Sequence, residues 1–278
     1  FVFFFAIPLM LFEKVATTAT AAGGAGALLV TFYGATATVY LLGALTARIA
    51  FRKRADAAVL IGFAGAYGNT VMIGIPVVLT VIGAEGAFAM FLVISFHSLV
   101  FFPLTTVLVE TVRGVEAGLA HVPKEVARGV VTNPILVALV LGVAVNRLGV
   151  PLPATGVRFA ELVGEAAVPC ALFATGAALR EFPLRGALPL VAVLVVLKGV
   201  VHPAIVYVVG SQLFALPPLS LTVAVILAAM PVGVNPYLFA TRYRAAETEC
   251  ATAIALSTGL AVASVSAVLV LLDLGGKS

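Results

Sequence analysis

Charge is scarce in this sequence. Only 10% of its 278 residues are Asp, Glu, Lys or Arg, while 62% are apolar. Soluble domains run nearer half apolar and about a quarter charged, so that class is excluded. Cysteine is just as thin: Cys170 and Cys250 are too few for a disulfide framework or a metal site, and both read as small apolar residues. A Gly-rich phosphate loop, a His/Cys cluster and a nucleophile elbow are all lacking. No cofactor, bound metal or catalytic residue is therefore expected. An intramembrane hydrolase would need a paired nucleophile and base or an acidic dyad, so the chain does not read as an enzyme. The net charge of +4 could suggest nucleic acid as a partner. The basic residues, however, lie in short loops between apolar stretches, which points to a lipid bilayer instead.

What is abundant is apolar sequence in long runs. Nine spans stand out, roughly at 1–15, 24–49, 57–82, 86–109, 130–147, 156–179, 187–210, 219–241 and 251–272. Most approach or exceed the roughly 20 residues a membrane helix needs. The fold class read from them is an all-α polytopic membrane protein. The first run, Phe1 to Phe12, followed by the small residues 16–22, could be a signal peptide, but it lacks a basic leading region. The one longer connection, 110–129, carries Glu110, Arg113, Glu116, His121, Lys124, Glu125 and Arg128 and reads as a linker between halves. Loops after the second, fourth, sixth and eighth spans hold eleven basic residues: Arg48, Arg52, Lys53, Arg54, Arg113, Lys124, Arg128, Arg180, Arg185, Arg242 and Arg244. The opposite side holds four: Lys14, Arg147, Arg158 and Lys277. That asymmetry places the first set in the cytoplasm.

The two halves also echo each other. Ala6-Ile-Pro-Leu-Met-Leu-Phe12 aligns with Ala167-Val-Pro-Cys-Ala-Leu-Phe173 at an offset of 161 residues, and Pro76 falls on Pro236 at an offset of 160. Such an offset holds five spans, and an odd number inverts the second copy in the membrane. Inverted repeats are a common plan of secondary transporters, with the binding site at the repeat interface. The expected units are 1–109 as a first repeat, 110–129 as a cytoplasmic linker and 130–278 as a second repeat. The partner of span 130–147 would lie before residue 1, so ten helices are expected, with nine present here.

Two spans carry interruptions at corresponding places. Span 57–82 holds Gly65, Gly68-Asn69-Thr70, Gly74 and Pro76, and span 219–241 holds Met230-Pro231-Val-Gly233-Val-Asn235-Pro236. Pro76 cannot donate a backbone hydrogen bond and would crowd the Met72 carbonyl, so a break is expected near 68–76. A break in mid-membrane exposes donors on one half-helix and acceptors on the other, and the positive N-terminal end favours an anion. Asn69, Thr70, Pro76, Pro231, Asn235 and Pro236 are thus the candidate substrate-binding residues; the bland reading is a pair of packing kinks. Lys198 lies mid-span, with His202 four residues on and on the same face. A charge there either serves transport or forms a structural ion pair, for which Glu165 is the candidate partner. Glu165 and His97 are further candidates for charge or proton coupling, although a lone membrane histidine is more often a packing residue. Glu85, Arg242 and Arg244 read as solvated loop charges.

At these motifs the chain resembles the auxin efflux carrier family, which includes plant PIN carriers and bacterial malonate- or malate-type permeases. The resemblance rests on Asn69-Thr-Val-Met-Ile-Gly-Ile-Pro76 with Gly83-Ala-Glu-Gly86, and on Met230-Pro-Val-Gly-Val-Asn-Pro-Tyr-Leu-Phe-Ala-Thr-Arg-Tyr243. Asn133-Pro134, Ala167-Val-Pro169 through Gly176-Ala-Ala-Leu179, and Lys198 to Pro203 support it. It implies a bile-acid symporter-like fold of two inverted five-helix repeats, with a scaffold and a mobile transport domain. It also implies broken helices that cross beside the substrate and elevator-like alternating access, with Asn69, Pro76, Pro231 and Asn235 bordering the site. The short linker differs from the long regulatory loop of many plant members and gives no support to auxin as substrate. The function expected is a secondary transporter in a bacterial-type inner membrane, carrying a small organic anion such as a mono- or dicarboxylate. Proton or cation coupling and a homodimer are left open. A sodium-coupled bile-acid-type symporter would call for more acidic residues near the crossover. A non-transporting sensor or scaffold would ordinarily carry a soluble output domain.

Cysteines introduced into the 48–56 and 242–250 loops should stay unmodified by a membrane-impermeant thiol reagent in intact cells. Ready labelling from outside would overturn the orientation.

Overall fold

The computed structural model describes residues 1–17, 24–114, 131–178 and 188–272, with Lys124, Ala127, Arg128, Arg180 and Phe182. Glu116, His121 and Glu125 of the linker, residues 18–22, and Arg185 and Lys277 of the basic count lie outside the described residues. The described residues form helices and no strands. In chain order these are α1 (Ile7–Thr17), α2 (Ala25–Ala50), α3 (Ala55–Ala66), α4 (Thr70–Val81), α5 (Ala84–Arg113), α6 (Pro134–Leu148), α7 (Ala154–Glu165), α8 (Ala167–Ala178), α9 (Leu188–Leu213), α10 (Pro218–Ala229), α11 (Asn235–Tyr243) and α12 (Glu247–Leu271).

Four of these, α2, α5, α9 and α12, have 26, 30, 26 and 25 residues and are apolar enough to cross a membrane. At about 1.5 Å per residue each exceeds the roughly 30 Å hydrocarbon core. Six of the shorter helices come from interrupted spans. Span 57–82 is divided into α3 and α4, span 219–241 into α10 and α11, and span 156–179 into α7 and α8 at a turn on Ala166.

The first interruption lies earlier than Pro76. It occupies Tyr67 to Asn69, and Pro76 sits inside α4, directly after a π turn over Thr70–Gly74. The same arrangement recurs in α9, where a π turn over Leu197–Val201 runs into His202-Pro203. A π turn widens the helix by one residue, so the carbonyl that a proline would crowd is displaced and the helix continues.

Packing follows residue size. Every residue of α10 from Val223 to Ala229 is buried, as a helix apolar on all sides should be when it runs through the middle of a bundle. Around it lie Ile75 and Val78 of α4, Met90 and Phe91 of α5, and Phe32 of α2. Helices α2 and α3 come closest, at Gly43 and Gly62. A Cβ on Gly62 would lie 2.6 Å from the Tyr40 carbonyl oxygen and 2.8 Å from Ala44 Cβ, a backbone approach that no rotamer can relieve. Small residues at such contacts are how helices pack where lipid supplies no hydrophobic drive between them. Aromatic rings of Tyr40, Phe63, Tyr67 and Phe101 fill the adjoining space.

At the end where the basic residues gather, buried Asp56 ties three helices together. Its Oδ2 accepts from Arg113 Nε at 3.0 Å and from Arg54 Nη2 at 3.2 Å, and Arg113 Nη2 also donates to the Tyr243 carbonyl at 2.5 Å. Lys53 and Glu249 pair across the same end at 2.5 Å.

Gly62→Val should force α2 and α3 apart and cost about 1–3 kcal/mol, read as a lowered thermal midpoint of the purified protein. Gly34→Val, whose Cβ meets nothing within 4 Å, should leave the midpoint unchanged. Equal midpoints for the two variants would contradict the close packing at Gly62.

Candidate functional site

The two interruptions meet. Tyr67-Gly68-Asn69 runs antiparallel to Pro231-Val232-Gly233, with Asn69 N donating to the Pro231 carbonyl at 2.7 Å and Gly233 N to the Tyr67 carbonyl at 2.9 Å. Backbone groups freed by breaking a helix have no water to turn to inside a bilayer, so here they bind each other. Neighbouring side chains take up more of them. Ser257 Oγ accepts from Val232 N at 3.0 Å, His97 Nε2 from Gly68 N at 3.3 Å, and Asn69 Oδ1 from Met72 N at 3.2 Å.

One face of this crossing borders a cavity of about 980 Å³, a volume suited to a small organic ligand. Three helix N-termini line it: Asn69 and Thr70 at the start of α4, Thr132 and Asn133 at the start of α6, and Val234 and Asn235 at the start of α11. Asn133 caps α6 by accepting from Ile135 N at 3.0 Å and Leu136 N at 3.3 Å. Each N-terminus carries roughly half a positive charge. Arg242 supplies a full one, and no carboxylate lies among the described lining residues. Hydroxyl and amide groups continue the wall. Asn235 Nδ2 donates to Tyr67 Oη at 2.9 Å, and Tyr67 Oη and Ser98 Oγ share a hydrogen bond of 2.7 Å.

Behind Gly68 lies a second, sealed group of polar residues. Lys198, His202 and His97 are 1%, 0% and 2% exposed. Lys198 Nζ donates to the Ala228 carbonyl at 2.5 Å, at the C-terminal end of α10, and lies 3.1 Å from His202 Nδ1. A cation there meets the negative end of the helix dipole. The tautomer of His202 follows from its neighbour. Thr36 spends its single hydroxyl hydrogen on the Phe32 carbonyl at 2.6 Å, so its 2.9 Å contact with His202 Nε2 is donated by the imidazole. Nδ1 is then free to accept from Lys198. Glycine at 68 makes the approach possible, because a Cβ would stand 3.1 Å from both Lys198 Cε and Nζ. The His97 ring lies tilted against Tyr67 with centroids 4.3 Å apart, which links the sealed group to the cavity wall.

The structure therefore divides the sequence candidates into three. Asn69, Thr70 and Asn235 line the cavity. Pro76, Pro231 and Pro236 are buried and are not among the described lining residues; Pro231 lies at the second break, Pro236 in the first turn of α11 and Pro76 inside α4. Lys198, His202 and His97 sit behind the crossing rather than in the cavity. Glu165 stands apart and is not the partner of Lys198. Its side chain is 68% exposed and lies 3.9 Å from Arg158, on a face of α7 shared with Glu161. Helical spacing of 158, 161 and 165 puts these charges together and away from the core. Sequence reasoning missed Arg242, Ser98, Tyr67 and Asn133 as lining residues. For Arg242 a signal existed: it follows Asn235 by seven residues, two helical turns, and so shares its face.

The family described as "Membrane transport protein" matches residues 1–269. A Rhizobium meliloti (strain 1021) protein named "Putative malonate transporter" is 28% identical over 275 residues, which cover 99% of this chain and 86% of that protein.

Removing the Lys198 amine takes away its hydrogen bonds to the Ala228 carbonyl and to His202 Nδ1. Lys198→Met should thus lower stability by about 1–3 kcal/mol, measured by thermal unfolding. Adding Glu165→Gln should restore nothing. Recovery in the double variant would re-establish the ion pair.

Proposed function

The chain belongs to the membrane transport protein family of auxin efflux carriers, and from that premise we propose that it carries a small organic anion, a mono- or dicarboxylate such as malonate, by elevator-like alternating access. Family and relative point to a transporter rather than an enzyme, and the apolar helices make it an integral membrane protein. The observation that carries the anion reading is the cavity itself. Three helix N-termini and Arg242 converge on it, with no opposing carboxylate among the described lining residues. Anions are stabilised where N–H groups and dipole ends point at one place. Arg242 can take a carboxylate in a two-pronged hydrogen bond, which a point charge could not orient.

The same geometry supports a transport cycle built on inverted repeats. Paired breaks α3/α4 and α10/α11 give each repeat one interrupted helix at the substrate. The cavity wall joins residues of the crossing to Phe4 and to Thr132–Pro134, which lie on α6 and near α1. In an elevator scheme the crossing moves with the substrate while those helices stay fixed. Arg242 and Thr132 lie beside the basic loops, so the cavity opens toward the proposed cytoplasmic side, in a bacterial-type inner membrane. The Lys198 ammonium behind Gly68 occupies the negative end of α10, which a coupling cation would otherwise seek.

Binding can be read as malonate-induced thermal stabilisation, since a ligand of the folded state raises its apparent stability. A lost hydrogen bond to a charged group costs about 1.5–3 kcal/mol, or roughly 10- to 150-fold in affinity. Asn69→Ala, Asn235→Ala and Arg242→Gln should each weaken malonate by that order, and Thr80→Ala, outside the cavity, should not. If all three bind malonate as the parent does, the cavity is not the substrate site.

A further inference from the structure

A second, smaller cavity of about 430 Å³ lies far from the crossing in character, because arginines make half of its wall. It is bounded by Arg48, Arg54, Ala55, Asp56, Val112 and Arg113, where the ends of α2 and α5 meet the start of α3. Three guanidiniums face one carboxylate. That carboxylate is already committed: Asp56 Oδ1 accepts from Ala57 N at 2.8 Å, and Oδ2 takes Arg113 and Arg54. Among the described lining residues this leaves two formal positive charges in excess.

Two of the three arginines are held in place by protein contacts that use only part of each fork. Arg113 is fixed by Asp56 and by the Tyr243 carbonyl, with its ring-facing side over Tyr243 at 5.3 Å. Arg48 Nη1 donates to the Lys53 carbonyl at 2.9 Å. A guanidinium has five N–H donors, so Arg113 retains the two on Nη1 and Arg48 more for a ligand. Preorganised, delocalised cations with spare planar donors match the oxygens of a phosphate group. The depth of the pocket agrees. Arg48 and Arg113 lie in the last turns of two helices long enough to cross the bilayer, the level at which phospholipid headgroups sit. Basic pockets between membrane helices take up such headgroups.

We propose that Arg48, Arg54 and Arg113 form a binding site for a phosphate ester, met at this depth by the headgroup of an anionic phospholipid. The site is independent of the crossover cavity and of what that cavity carries. An occupied site would tie the ends of α2, α3 and α5 to the membrane surface.

The test is the thermal midpoint of purified protein in neutral detergent. It would be measured with added phosphatidylglycerol, with phosphatidylcholine, and with inorganic phosphate against chloride at matched ionic strength. Phosphatidylglycerol should stabilise the parent more than phosphatidylcholine does. Arg48→Gln/Arg54→Gln should need about tenfold more of it for the same shift. Arg52→Gln, which removes a nearby charge outside the pocket, should respond as the parent. Arg48→Gln alone leaves Asp56 fully paired and carries the test if the double variant does not fold. Stabilisation by inorganic phosphate, lost in the same variants, would uphold the site and assign it to free phosphate as well. An equal response to both lipids with none to phosphate, or arginine variants that respond as the parent does, would overturn the proposal.

Discussion

Two backbone hydrogen bonds, Asn69 N to the Pro231 carbonyl and Gly233 N to the Tyr67 carbonyl, are the contacts on which the rest of the site depends. Helices broken within an apolar bundle leave amides and carbonyls without partners, and each such group costs several kcal/mol in hydrocarbon. Crossing the breaks lets each satisfy part of the other. It also fixes where four half-helix ends lie, and those ends set the local electrostatics. A side chain at Gly68 would press on the end of Lys198, since a Cβ there would stand 3.1 Å from its Cε and Nζ.

The crossing separates two environments of opposite character. On the cavity side stand N-terminal ends, Arg242, and amide and hydroxyl groups able to meet a polar solute. On the sealed side the C-terminal end of α10 is met by the Lys198 ammonium, with His202 and Thr36 extending the hydrogen-bond chain. Lys198 Nζ, a donor supplied by the protein itself, meets the Ala228 carbonyl from behind the crossing. Any movement of the crossing relative to α6 would carry the sealed group together with the crossing's own part of the cavity wall, because His97 contacts both Gly68 and Tyr67, and would leave the α6 end behind. That coherence is what the proposed alternating-access cycle needs from its moving part.

Much of the fold was legible in the chain, and so was part of the site. Apolar runs of membrane length, the Gly- and Pro-bearing interruptions at 68–76 and 230–236, and the asymmetry of basic loops are all local properties, and Asn69 and Asn235 stand out because they sit at the interruptions. Pro76 misled, since a proline ordinarily breaks a helix, but a preceding π turn absorbs it. Glu165 misled in the other direction. It looked deep in its span, yet its neighbours at i−4 and i−7 show that it belongs to an outward charged face with Arg158.

By itself, then, the sequence determined that the chain is helical and membrane-embedded, where its helices weaken, and which family it resembles. Each of these depends on residues within a turn or two of one another. The resemblance implied that the two weak points cross; only the tertiary structure decided which backbone atoms meet there, that Lys198 lies behind them rather than in the cavity, and that Arg242 and Ser98 line the wall. Those outcomes join residues as distant as Tyr67 and Asn235, 168 positions apart. Hydropathy has no means of encoding such a pairing, because it measures how much surface a residue wants buried and not which partner will bury it.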